Sequence, residues 1–512
     1  MIPLSPPFAQ AAAMPTLAEL IAVQSRRQPE ATALQWLGGT LSYRALAGRV
    51  DALAAALHAQ GLRKGDRVAV LSENCPEYVV VLLACARLGL ICACLNWRMS
   101  DREQQQCLAL VAPRAAFVSR KFEAATPLFG AVAVHRFEDG HAAIGSPQDG
   151  APPVVDVGPE DGLYILFTSG TTGQSKGALI SHRALVARGI LGIVDGVFQT
   201  GRTQITWGPM FHQLGTDYTL MTLAFGGKVI LFDGPQLDPL CDALATETNL
   251  GWLGLTPGMV DEVLERLRAR DLRPLGMDSV GCMADLIPRA RIAEITQLFN
   301  APFRNTFGLT EAGSAPASAH LIPVGVAPAD LDKVESTFAR VRLVDEAGHD
   351  VADGEPGELL LRSPTLFSGY WNMPQATADA FRDGWYCTGD VFVRRPSGRL
   401  AYVDRKKYLI KSGGENIYPA EIEQILRGHP AVAEVVVVRR SDARWGEVPV
   451  AFVERRDPAV TEAELIAFCR GKIAGYKLPK GVRFLGAQDM PRNVTGKVMR
   501  KPLERLLEQD QG

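Results

Sequence analysis

Between Tyr164 and Ala178 the chain reads Tyr-Ile-Leu-Phe-Thr-Ser-Gly-Thr-Thr-Gly-Gln-Ser-Lys-Gly-Ala, an apolar run giving way to hydroxyls, glycines and one lysine. Gly170, Gly173 and Gly177 free the backbone to turn N–H groups toward an anion, Thr168, Ser169, Thr171, Thr172 and Ser175 add hydroxyl donors, and Lys176 adds charge. The pattern predicts a cradle for polyphosphate, above all ATP. It is not a Walker loop, which needs Ser or Thr after its lysine where this chain has Gly177. Gly173-Gln-Ser-Lys-Gly177 does fit the hydrolase nucleophile elbow. The residues ahead of it already read as loop, however, so Ser175 would not stand on the sharp strand-to-helix turn that chemistry requires. A plain polar surface loop is the remaining alternative. The density of small polar residues between a predicted strand and a helix predicted to begin near Ser181 argues against it.

The elements around the loop must hold it. Short β-branched runs, Arg67 to Leu71, Leu163 to Phe167 and Lys228 to Phe232, alternate with helical patterns such as Tyr43 to His58 and Asp261 to Arg270. That alternation predicts α/β architecture. Gly- and Pro-rich stretches at Gly145 to Pro153 and Val324 to Ala329 read as linkers, and Glu358 to Arg362 opens a strand-rich section. After Asp404 the pattern changes to short strands near Tyr408 to Lys411, Val432 to Val438 and Val448 to Val453, with helices at Pro419 to Gly428 and Glu462 to Gly471. We expect a large multi-subdomain N-terminal α/β domain over 1–404 and a small mobile C-terminal α+β domain over 405–512.

With 512 residues, 47% apolar and 21% charged, the chain has ordinary soluble composition and length for more than one core. A net charge of −2 and short basic clusters give no electrostatic footprint for nucleic acid. The nine cysteines form no Cys-x-x-Cys pair and the eight histidines show no metal-ligand spacing, so reduced thiols in a cytoplasmic setting are expected. The most apolar stretch, Tyr78 to Leu95, is broken by Arg87 and Gly89 and reads as a buried helix feeding a strand rather than a transmembrane segment.

Six segments in order resemble the adenylate-forming superfamily of acyl-CoA synthetases, carrier-protein adenylation domains and luciferases. They are the phosphate loop, Pro209-Met-Phe-His212, Phe307-Gly-Leu-Thr-Glu311, Trp385-Tyr-Cys-Thr-Gly-Asp390, the run Asp404 to Asn416, and Pro491-Arg-Asn-Val-Thr-Gly-Lys497. The resemblance covers essentially the whole chain. It implies that Phe307-Gly308 stacks adenine, Thr310 binds phosphate, Glu311 holds Mg²⁺, Asp390 accepts the ribose hydroxyls and Arg405 contacts ribose or phosphate. Physically, an aromatic face, a hydroxyl, a hard oxygen ligand and a bidentate carboxylate suit those tasks. The family more often has tyrosine at the place of Phe307, glycine at that of Asp404 and an acidic residue at that of Tyr408. The bland readings are a helix N-cap for Thr310-Glu311 and an ordinary turn for Gly389-Asp390.

By the same resemblance Lys497 is the catalytic lysine, orienting a carboxylate against the α-phosphate and offsetting charge on the bridging oxygen. Lys407 is the hinge, and His212 is a gate beside the acyl pocket. The pocket itself falls on Phe211, His212, Leu214, Gly254, Cys282, Met283, Leu309 and Gly313. These are mostly apolar and small, which points to an aromatic or short-to-medium aliphatic monocarboxylic acid. Coenzyme A users resemble the chain at Gly413 and Gly414, where missing side chains leave room for pantetheine, and at Trp445. Asp217, near His212, has no assigned role and could be an ordinary helix charge. The expected function is ATP-dependent carboxylate:CoA ligation with ATP, Mg²⁺ and coenzyme A, by a homodimer or monomer. Alternatives are loading of a carrier-protein phosphopantetheine, a luciferase-like oxygenase and an inactive nucleotide-binding protein.

Overall fold

The computed structural model describes residues 13–137, 153–168, 175–413, 415–492 and 498–509. Two parallel sheets dominate its first three hundred residues, as the alternating pattern predicts. In the six-stranded sheet the order runs Ala133–Arg136, Ala115–Val118, Arg67–Leu71, Ile91–Cys94, Gly162–Thr168, Lys176–Ser181, all parallel except the last strand. In the eight-stranded sheet the order is Leu321–Ile322, Phe303–Asn305, Met277–Cys282, Leu250–Gly254, Thr203–Thr206, Lys228–Leu231, Thr32–Trp36, Gly39–Ser42, with antiparallel pairing only at its two edges. Such sheets need helices on their faces, and the chain supplies them between strands.

The stretch from Tyr78 to Leu95 forms the helix Pro76–Leu88, closed by Gly89 in the left-handed region (φ 66°), and then the strand Ile91–Cys94. All of the strand and nearly all of the helix are buried. Ser181 caps the helix His182–Val194, accepting from the N–H of Ala184 at 3.2 Å, which places that helix where the sequence predicts it. The helix predicted from Asp261 begins earlier, as Pro257–Ala269, because Pro257 takes the first-turn position. The strand-rich section is a five-stranded antiparallel sheet of Arg340–Val344, Pro356–Arg362, Trp385–Arg394, Phe381–Arg382 and Leu400–Arg405.

Beyond it, Ile410–Ser412, Glu415–Ile417, Val432–Asp442, Gly446–Arg455 and Val482–Phe484 make a separate mixed sheet. Its apolar cluster includes Ile422, Leu426, Val435, Val437, Val453 and Leu465, with the helices Pro419–Arg427 and Glu462–Cys469 contributing to it. Among the described residues, no helix is long and apolar enough to cross a membrane. The linker read at Gly145 to Pro153 lies, except for its last residue, outside the described residues.

One buried titratable group couples this fold to pH. His182 is fully buried, its Nδ1 accepts the N–H of Leu17 at 3.1 Å, and burial pushes its pKa down to about 4. In the unfolded chain the ring takes up a proton near its ordinary value of about 6.5. The stabilisation is therefore complete above that pH and is lost as pH falls toward 4, by on the order of 3 kcal/mol. We predict that the urea midpoint drops between pH 7.5 and pH 4.5. His182→Asn, which keeps an acceptor but does not titrate, should shrink that drop; an equal drop in the variant would count against His182 as its source.

Candidate active site

The phosphate loop is the connection of an antiparallel hairpin. Gly162–Thr168 and Lys176–Ser181 pair with Thr168 opposite Lys176, so the hydroxyl entering the loop and the lysine leaving it stand side by side. Ser169, Gly170, Thr171, Thr172 and Gly173 lie outside the described residues, as do Gly414 and Lys497. The segment around Tyr370 adds to the open edge of this hairpin: Trp371 N–H donates to Gly177 O at 2.8 Å and Leu179 N–H donates to Gly369 O at 3.0 Å. That edge carries Tyr370 under the lysine, with Lys176 Nζ 4.7 Å from the ring centroid. The Tyr370 hydroxyl donates to Glu311 Oε1 at 2.8 Å, linking the hairpin to the carboxylate. Burial, then the Glu311 charge, holds the Tyr370 hydroxyl well above its ordinary pKa, so it stays a donor.

Thr310 and Glu311 occupy the tip of a second hairpin, Gly308–Leu309 against Gly313–Pro316, so the helix-cap reading of this pair does not hold. Gly313 has φ 73°, and a Cβ there would come within 2.8 Å of Arg188. Arg188 and Asp217, each 1% exposed, form an ion pair at 2.8 Å. The guanidinium also donates to Thr310 O at 3.0 Å and to Thr365 O at 3.0 Å, and Tyr164 hydroxyl donates to the other Asp217 oxygen at 2.5 Å. Asp217 is thus no ordinary helix charge. It neutralises the arginine on which the Thr310–Glu311 turn rests. Among the described residues no three His, Cys, Asp or Glu side chains cluster as a metal cage. Glu311 is a hard oxygen donor of the kind Mg²⁺ takes, and as a lone carboxylate it fits an ion that fills its remaining positions from outside the protein.

Asp390 and Arg405 face each other on paired strands, with Arg405 Nε donating to Asp390 Oδ1 at 3.0 Å. Gly389 (φ 71°) lies where the pairing register with Pro356–Arg362 shifts, so Asp390 follows a bulge and not an ordinary turn. The carboxylate is 1% exposed, and its charge raises the Arg405 pKa further. Phe307 is 6% exposed, buttressed by Phe392 at 4.9 Å and Tyr402 at 5.6 Å, with the exposed Gly308 beside it.

His212 caps the helix Gln213–Ala224, its Nδ1 accepting from Leu214 N–H at 3.2 Å. Burial lowers its pKa, and the accepting Nδ1 leaves the proton of the neutral ring on Nε2. Phe211, Leu214, Met283 and Leu309 all pack on the main core around this helix. Cys282 does not. Its strand partner is Asn305 and its side chain joins the outer core with Val280 and Phe303, so strand alternation turns Gly281 toward the Gly254 side instead.

In the small C-terminal unit Gly413 (φ 59°) and Trp445 meet. Gly413 N–H donates to Trp445 O at 2.8 Å, and a Cβ on the glycine would lie 2.7 Å from the indole. Trp445 stays 42% exposed. Lys407 is exposed just after the last strand of the five-stranded sheet. Sequence reasoning missed Arg188, Tyr164 and Tyr370. Arg188 and Tyr370 stand in no motif, Tyr164 reads only as part of the apolar strand ahead of the phosphate loop, and only the unexplained acid at Asp217 signalled that a buried partner was needed.

This fold and arrangement are those of an adenylate-forming enzyme. The model of the AMP-binding enzyme matches residues 21–371 and that of the AMP-binding enzyme C-terminal domain matches residues 421–497, and the chain belongs to this family. It is 36% identical over 512 residues to an indoleacetate–CoA ligase of Aromatoleum aromaticum, covering 96% of this chain and 98% of that protein. It is 34% identical over 485 residues to a feruloyl-CoA synthase of Amycolatopsis sp, covering 94% and 97%. ATP-bound MatB from Rhodopseudomonas palustris superposes with a TM-score of 0.82 at 26% identity, covering 97% of this chain and 100% of that one. The activity is ATP-dependent carboxylate:CoA ligation with Mg²⁺: an acyl-adenylate and pyrophosphate form first, then an acyl-CoA thioester and AMP.

Breaking a buried ion pair on one side costs about 3–5 kcal/mol. Arg188→Met should lose stability on that scale in urea unfolding. The double change Arg188→Met with Asp217→Leu should recover much of it without recovering pyrophosphate release, because Thr310 O still lacks its donor. Full recovery of both would show that the pair does not position the turn.

Proposed function

We propose that the acid is an aromatic carboxylic acid and that the residues brought together here divide the two half-reactions between them. What carries the reading is the convergence of Thr168, Lys176, Tyr370 and Glu311 on one spot, together with the Arg405 guanidinium on the buried Asp390 carboxylate. A chain of contacts running from the phosphate hairpin to a lone carboxylate suits a triphosphate with a shared Mg²⁺. The aromatic preference is drawn from the substrates named for the indoleacetate and feruloyl relatives.

In the first half-reaction a carboxylate oxygen attacks the α-phosphorus as the bond to pyrophosphate breaks. The hairpin hydroxyls from Thr168 to Thr172 and Lys176 bind phosphate oxygens, Thr310 adds a hydroxyl, and Phe307 with Gly308 meets adenine. Asp390 takes the ribose hydroxyls, Arg405 adds charge beside them, and Lys497 offsets the charge that builds on the bridging oxygen. His212, neutral, donates from Nε2 or packs over the carboxylate. In the second half-reaction the CoA sulfur attacks the acyl carbon and AMP leaves. A turn of the C-terminal domain about Lys407, from a boundary at 404/405, exchanges Lys497 for the Gly413–Gly414 and Trp445 surface, so that one site serves both steps. The nine cysteines are free thiols, which suits a reducing cytoplasm.

A panel of carboxylic acids with MgATP, read as pyrophosphate and AMP with and without CoA, tests this. Aromatic acids should drive pyrophosphate release and CoA should accelerate AMP turnover. Lys497→Ala should lower pyrophosphate release by about a hundredfold or more, the scale for removing one oxyanion donor. Trp445→Ala should instead raise the KM for CoA while acid-dependent pyrophosphate release persists. Thioester formation only on a carrier protein, or no response to aromatic acids, would overturn the proposal.

A further inference from the structure

We propose that the enzyme recognises an oxygen acceptor at the far end of its aromatic acid, through three buried groups on one face of the eight-stranded sheet: Trp252 Nε1, Ser279 Oγ and Arg304 Nε. This inference rests on the aromatic-acid reading above.

The three residues lie on adjacent parallel strands. Trp252 is registered with Ser279, and Gly281, two residues on from Ser279, is registered with Arg304. Side chains alternate along a strand, so the three share a face. Their neighbours Leu253, Val280 and Phe303 turn the other way into the outer core, and Trp252 joins the main core, which confirms the assignment. Trp252 is 6% exposed, Ser279 0% and Arg304 1%, and the three named atoms have no hydrogen-bond partner. A buried polar atom left without a hydrogen bond is costly to the fold. A single such atom is an isolated defect, whereas three on neighbouring strands with hydrogens to donate make a place for lone pairs.

Arg304 adds a charge to that place. Its other N–H groups donate to the carbonyls of Asp195, Gly196 and Ser318, and among the described residues no carboxylate lies within ion-pair distance of it. Burial lowers its pKa to about 10, outweighing the more distant Tyr218, Asp195 and Asp278, which act to raise it.

The site also lies where the end of an acid would be. Tyr218 is six residues beyond His212 on the same helix, a rise of about 9 Å, and its ring sits 4.6 Å from that of Trp252 and 5.5 Å from that of Phe198. Gly281 lies against the neighbouring strand, with the Arg304 carbonyl 2.2 Å from where its Cβ would stand. The Trp252 indole lies over Gly254, 2.5 Å from where a Cβ would stand. An acid whose carboxylate lies by His212 packs its ring along Tyr218 and Trp252, and a hydroxyl, methoxy or carboxylate oxygen on the distal ring position then meets the three donors.

Matched acids test this in the pyrophosphate assay: cinnamate against 4-hydroxycinnamate and 4-carboxycinnamate, phenylacetate against 4-hydroxyphenylacetate. The oxygen-bearing acid of a pair should have kcat/KM about tenfold or more above its partner, mainly through KM, since a site built to bind a polar group rejects the analogue lacking it. A preference for the carboxylate over the hydroxyl arm would identify Arg304 as the leading donor. Trp252→Phe and Ser279→Ala should each pull the ratio within a pair toward one, and Arg304→Lys serves as a third variant if it folds. Equal kcat/KM within every pair, or ratios unmoved in both Trp252→Phe and Ser279→Ala, would overturn the inference and assign the donors to bound water. Either result leaves aromatic-acid activation standing. Loss of turnover with all aromatic acids would instead refute the underlying reading.

Discussion

The site depends on a charge that cannot reach water. Arg188 lies almost wholly buried between the helix His182–Val194 and the hairpin bearing Glu311, and without Asp217 its guanidinium would be too costly to keep there. With Asp217 it becomes a rigid fork. Two backbone carbonyls, Thr310 and Thr365, accept from it, and Tyr164 completes the carboxylate's shell. Three separated segments are therefore tied to one planar group. Tyr164 belongs to the strand that runs into the phosphate loop, so the same network sets the loop's base and the Glu311 turn relative to each other. Gly313 belongs to this constraint as well, because any side chain there would displace the arginine.

From that anchor the nucleotide site is built on strand edges. The phosphate connection is a hairpin rather than a strand-to-helix turn, so its lysine returns beside the hydroxyl that enters, and the segment at Tyr370 pairs with the returning strand. Asp390 and Arg405 come from the adjoining antiparallel sheet, where the bulge at Gly389 sets the strand that bears the acid. Arg405 ends that sheet, and Ile410–Ser412, the first strand of the next sheet, follows within five residues. Gly413 and Trp445 already pack on each other, so this surface is a preformed part of the small unit.

Much of this was legible in the sequence because it depends on local chemistry. Glycines and hydroxyls around Lys176 announce an anion loop, and the break at Gly89 announces a helix end whatever surrounds it. The ordered motifs placed Glu311, Asp390 and Arg405 where the structure brings them near one another. What could not be read was long-range pairing. Arg188 and Asp217 are separated by 29 residues, and Tyr370 by 59 from Glu311, with no spacing rule to connect them. The strand Lys176–Ser181 was hidden because its hydroxyl-rich approach reads as loop.

The acyl pocket shows a subtler limit. Motif placement assigned Cys282 to that pocket, whereas its side chain joins the outer core, and a period of two means that a shift of one residue puts a side chain on the opposite face. The opposite face carries Trp252, Ser279, Gly281 and Arg304, residues that a reading of each strand alone would count as core. Only when three strands are placed side by side do their polar atoms become neighbours. Neighbours made across strands leave no spacing in the chain, whereas motif chemistry is written along it, so a sequence shows the second and hides the first.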